Sequence, residues 1–125
     1  MHPEKFKQVA QLPSAERHTY FVRKVADTQE VWGLHHDGWA TAQAGGTVAI
    51  PFWPEADFAQ ACASGDWAGY QPRAIALDDF LAKWLPGMAN NDQLASVFSV
   101  PQGGASIAAP ADLLADLRNE VRQYE

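Results

Sequence analysis

With only one cysteine, Cys62, the chain can form no intramolecular disulfide, which fits a reducing compartment. Long apolar runs are also missing. No window approaches the ~18 consecutive apolar residues of a membrane span, because Gly and Pro interrupt the longest uncharged stretches. The opening residues, Met1-His2-Pro3-Glu4-Lys5, lack the apolar segment of a secretory signal, so a cytoplasmic protein is expected. Positive charge is scarce. No Lys or Arg occurs between residues 31 and 72, whereas Asp37, Glu55, Asp57 and Asp66 all lie there. Residues 1–30 carry five basic and four acidic groups, which leaves four basic against eleven acidic for the remainder. Phosphate backbones and anionic membranes demand clustered cations, so neither nucleic acid nor membrane is an expected partner. A basic or neutral partner is more compatible.

A hydrophobic fraction of 47% over 125 residues excludes wholesale disorder and predicts one domain, 1–125, without repeats or linkers. Helices are expected over residues 3–12 and 14–26. Pro13 separates them, Ser14 serves as N-cap, and Phe21 and Val25 share an inward stripe. Three strand-like runs follow, at residues 30–36, 39–44 and 47–52, joined by Asp37-Gly38 and Gly45-Gly46. Two-residue turns would pair His36 with Trp39, Leu34 with Thr41 and Gln43 with Val48. The bulky face (Trp32, Leu34, His36, Trp39, Ile50, Phe52) would then be the core. The alanine-rich face (Val31, Gly33, His35, Ala40, Ala42, Ala49, Trp53) would be exposed or closely covered by a helix.

A short helix should run from Pro54 to about Ser64, with Phe58 and Cys62 on its inner stripe. A strand over 73–77 and a helix from Asp78, carrying Phe80, Leu81, Trp84 and Leu85 and ended by Pro86-Gly87, come next. Strands at 94–100 and 105–109 flank Gly103-Gly104. A final helix starts at Pro110 with a stripe of Leu113, Leu114, Leu117, Val121 and Tyr124. The order ααβββαβαββα predicts an α+β fold, a mainly antiparallel sheet with helices packed on it.

His35-His36-Asp37 is the only sequence cluster of acid–base or ligand residue types. Adjacent strand residues point to opposite faces, so the two imidazoles converge only if a bulge intervenes, and His2 and His18 are remote in sequence. In the enzymatic alternative, His36 acts as a general base beside Trp39, or the cluster holds a metal. As a structural element it is a hairpin turn. Cys62, with no cation near it in sequence, reads as a small buried hydrophobe. No glycine loop opens into a helix, and Asn90-Asn91-Asp92 lacks the spacing of a calcium loop, so no cofactor or metal is expected. Five tryptophans are many for this length. Trp32 and Trp84 fall on core stripes, whereas Trp53, Trp67, Tyr70 and Arg73, with Asp66, gather at element ends. Such residues either plug the edge of a core or make a binding surface.

The blocks Val31-Trp32-Gly33-Leu34, Gly38-Trp39-Ala40, Ile50-Pro51-Phe52-Trp53-Pro54, Trp67-Ala68-Gly69-Tyr70 and Trp84-Leu85-Pro86-Gly87-Met88 resemble a bacterial family, domain-of-unknown-function family 2750. The resemblance spans about Ala15 to Val121. It implies a single-domain bacterial protein and supplies no activity, cofactor or catalytic residue. The aromatic-rich, acidic region without a convergent catalytic set makes a non-enzymatic binding domain the leading expectation; a specific version, by fold-level analogy with toxin-neutralising immunity proteins, masks a basic protein partner. The alternative is a small enzyme or metal-binding protein built on His35, His36 and Asp37. A homodimer joined through the sheet edge or the alanine-rich face is a third reading.

Overall fold

The computed structural model describes residues 3–100 and 104–123, so His2, Gly103 of the predicted last turn and Tyr124 of the last stripe lie outside the described residues. Helices α1 (Pro3–Ala10) and α2 (Ser14–Thr28) open the chain. Pro13, not Ser14, occupies the N-cap of α2, and its carbonyl accepts from the N–H groups of Glu16 and Arg17. The helix ends without glycine. Gln29 takes the left-handed conformation (φ 62°) and donates its N–H to the Val25 carbonyl, closing the last turn.

Strand β1 (Glu30–His35) finds its main partner far along the chain. It pairs antiparallel with β4 (Gln71–Ala76), from Glu30 opposite Ala76 to His35 opposite Gln71. β4 is an edge strand, which is how Pro72 fits in it. Leu34, opposite Pro72, directs its carbonyl to the Ala40 N–H on the other side. The second sheet has the order β2-β3-β5-β6, made of β2 (Ala42–Ala44), β3 (Thr47–Phe52), β5 (Leu94–Val100) and β6 (Gly104–Ala108). All pairs are antiparallel except β3–β5, which is parallel. The expected α+β class with mostly antiparallel pairing is what forms, divided between two sheets.

The Gly45-Gly46 hairpin has the register obtained by counting, Gln43 opposite Val48. The preceding turn does not. His35, not His36, bridges to Trp39, so the reversal takes three residues, 36–38, with Asp37 at φ 54°. That one-residue slip moves Trp39 onto the His35 face, because strand side chains alternate. β1 and β3 also join once, where Trp32 and Trp53 exchange both backbone hydrogen bonds. Pro51 sits between the point where β2 leaves β3 at Ala49 and the point where β1 meets it at Trp53, so its missing N–H breaks no ladder on that side.

Both faces of the central strands are covered, which corrects the expectation of one bulky core face. Phe52 stands edge-on to Phe80 and Trp84, while its neighbour Trp53 points the opposite way and is as fully buried as Val31. The helix expected to stop at Pro86 continues. α4 (Leu77–Asp79) runs through a π-turn (Phe80–Trp84) into α5 (Leu85–Asn90). The Leu85 N–H reaches back five residues to the Phe80 carbonyl, and the wider turn ahead of Pro86 relieves the clash that a proline ring makes in a regular helix. α3 (Ala56–Ala61) is shorter than expected and buries Phe58, with Cys62 at its end. α6 (Pro110–Arg122) packs on α2 and α5 through Leu113 and Leu117.

Candidate functional site

The β1–β4 ladder decides which predicted site residues meet. Leu34 and Pro72 share one face, which the next register position extends to His36 and Tyr70; Gly33 and Arg73, like His35 and Gln71, occupy the other. The expected set of Trp53, Asp66, Trp67, Tyr70 and Arg73 is thereby divided.

On the first face, the rings of His36 and Tyr70 lie 5.6 Å apart. Half-buried Trp67 stands edge-on to Trp53 at 5.9 Å and donates its Nε1–H to the Thr41 carbonyl at 3.2 Å. Trp53 itself is 0% exposed and donates Nε1–H to the Ser99 carbonyl at 2.9 Å, so it supports the surface from beneath and offers none of it. Asp66 is exposed, and the Asp37 side chain is 97% exposed with His36 3.9 Å away.

On the opposite face, exposed Arg73 lies 5.7 Å over the Trp39 ring and donates from Nη1 to His35 Nε2 at 3.3 Å. A guanidinium has no acceptor, so His35 Nε2 carries the lone pair in this contact. Trp39 continues inward, edge-on to Trp84 at 4.9 Å, and the absence of a side chain at Gly33 lets it approach the strand. His35 and His36 thus face apart, as strand alternation requires. Among the described residues no three His, Cys, Asp or Glu side chains are placed to share an ion.

Beneath the bulge of β5, where Phe98 takes φ 53°, a buried polar set closes the chain on itself. Arg17, 2% exposed, donates to the carbonyls of Phe98 (3.2 Å), Leu12 (2.8 Å) and Gly104 (3.0 Å). Burial lowers its pKa from the ordinary arginine value, and nearby Cys62 opposes that shift. The Cys62 thiol donates to the Ser99 carbonyl at 3.3 Å, and burial pushes its pKa up to about 11 despite the proximity of Trp53 and Arg17. A thiol held protonated in this way is a packing group, not a nucleophile.

One constellation escaped sequence reasoning. His18 Nδ1 lies 3.0 Å from Ser106 Oγ, and His18 Nε2 lies 3.0 Å from Asp116 Oδ2. The three residues come from α2, β6 and α6, and their positions, 18, 106 and 116, carry no spacing signal.

A family model described as "Protein of unknown function (DUF2750)" matches residues 18–117. The chain belongs to this family. The matched span of this DUF2750 member includes both faces of the β1–β4 ladder and the His18–Ser106–Asp116 set. No curated protein matches the chain. No helix among the described residues is long and apolar enough to cross a membrane.

Proposed function

We propose that this DUF2750 member is a binding domain of the cytoplasm that covers a basic protein surface with its His36–Tyr70 face. The observation that carries this reading is the β1–β4 pairing. It sets the 36–38 turn against the loop before β4, bringing His36 beside Tyr70, with Asp37 and Asp66 exposed on those two loops. Arg73, the first basic residue after Lys24, lies on the other face. Aromatic groups with exposed carboxylates on the same loops, and with Arg73 turned to the opposite face, complement a Lys- or Arg-bearing partner. Carboxylates at a rim act on association rate and salt dependence, while the aromatic groups supply most of the affinity.

A lysine-rich peptide serves as the probe, with a glutamate-rich peptide of equal length as control and intrinsic tryptophan fluorescence as the readout. The lysine-rich peptide is expected to bind, to weaken as salt rises, and to lose about tenfold in affinity in Tyr70→Ala/Asp66→Asn, roughly 1.4 kcal/mol. Equal binding of both peptides, or binding that this double variant leaves unchanged, would refute the proposal.

A further inference from the structure

His18, Ser106 and Asp116 form a continuous hydrogen-bonded chain, 3.0 Å at each step, tying three elements that are distant in sequence. The directions of its bonds follow from elementary chemistry. A carboxylate only accepts, so the N–H at His18 Nε2 donates its hydrogen bond to Asp116 Oδ2. In the neutral form of the ring the lone pair is then on Nδ1, where the Ser106 hydroxyl can donate its hydrogen bond. This is the division of labour of a nucleophile, a general base and an orienting acid, with the two ring nitrogens exchanged relative to the usual serine-hydrolase arrangement. The His18 side chain is 18% exposed and that of Asp116 50%, so the imidazole is shielded while the chain remains open to solvent at one side.

The surroundings supply two further parts. β6 is an edge strand, so alternate N–H groups along it have no strand partner and face outward. By that alternation either Ser106 or Ile107 directs an N–H away from β5, available to an acyl oxygen bound along the strand edge. A groove of about 260 Å³ lies on the Asp116 side of the imidazole, bordered by His18, Arg23, Asp116 and Glu120 from α2 and α6 and not by Ser106.

We infer that Ser106 is a nucleophile activated by His18 and oriented through Asp116, and that it accepts the acyl group of small carboxylic esters. In the first step Ser106 Oγ bonds to the ester carbonyl carbon and its proton passes to His18 Nδ1. The bond to the alkoxy group breaks, and the departing alcohol takes that proton. Water then attacks the acyl-serine and gives a proton to Nδ1. The carboxylic acid is released, and Ser106 recovers its proton. This activity is independent of the peptide-binding face.

The test uses the full chain with a fluorophosphonate reagent, followed by intact mass and peptide mapping, and with 4-nitrophenyl acetate as ester. The expected result is a single adduct on Ser106 and ester turnover that Ser106→Ala abolishes. His18→Gln should slow both reactions by about a hundredfold, and Asp116→Asn, at a half-exposed position, by at least tenfold. A chain in which the three residues were only a structural tie would form no adduct at Ser106. Labelling at another residue, or wild-type labelling and turnover no faster than those of folded Ser106→Ala, would overturn the inference. Thermal melts establish that each variant is folded.

Discussion

Replacing Gly33 by alanine should destabilise the protein, and Trp39 should be the whole reason. A Cβ at position 33 would sit 2.9 Å from both Cε3 and Cζ3 of Trp39, closer than such atoms approach. The Trp39 ring is not the free end of a flexible chain. It is held edge-on by Trp84 at 4.9 Å and by His35 at 5.1 Å, with Arg73 above it. Overpacking of this kind costs about 1–3 kcal/mol. Gly33 has no left-handed φ, so alanine gains roughly 0.5–1 kcal/mol from its stiffer unfolded chain, leaving a net loss of about 1–2 kcal/mol. With about 2.1 cal/mol/K of unfolding entropy per residue, that lowers Tm by roughly 4–8 °C.

Urea and thermal unfolding of wild type, Gly33→Ala, Trp39→Ala and the double variant complete a cycle. The alanine at 33 should be harmless or mildly stabilising once Trp39 is gone, giving a coupling equal to the steric cost, about 1–3 kcal/mol. An equal cost of Gly33→Ala in both backgrounds would refute the steric account. No cost in either would refute the packing of Trp39 over the strand.

Arg17→Met should cost about 3 kcal/mol or more in urea unfolding, because the methionine fills the space but leaves the Phe98, Leu12 and Gly104 carbonyls without their donor. A variant as stable as wild type would show that the β5 bulge holds itself. Cys62 gives a pH-dependent signature. Its folded pKa, about 11, lies above the ordinary 9.0, so the folded state binds the thiol proton more tightly and stability falls as pH rises from about 9 to 11. A shift of about two units corresponds to roughly 2–3 kcal/mol, and the fall should be smaller by that amount in Cys62→Ala; identical pH profiles for the two proteins would refute it.

The legibility of the fold varied with the range of the interaction. The Gly45-Gly46 hairpin was countable because two glycines and alternating side chains specify a turn and a register within ten residues. The Asp37-Gly38 turn carried an equally good local signal and closed differently, since β1 already bonds to β4 on one side and to Trp53 on the other. Pro86 looked like a helix stop because a regular turn rejects proline, and the π-turn before it removes that objection. Tryptophans at element ends read alike in sequence. Trp67 remained half-exposed, whereas Trp53 disappeared into the core between two sheet elements.

The sequence by itself determined the positions and kinds of most elements, the acidic stretch without Lys or Arg from 31 to 72, the α+β class and the family. Those properties depend on composition and on periodicities a few residues long. Only the tertiary structure decided that β1 pairs with β4, that β3 and β5 run parallel, that Arg73 and Tyr70 face apart, and that His18 meets Ser106 and Asp116. Each of these joins groups tens of residues apart. Their pairing is chosen by competition among all elements for backbone hydrogen bonds and buried surface, which local patterning does not encode.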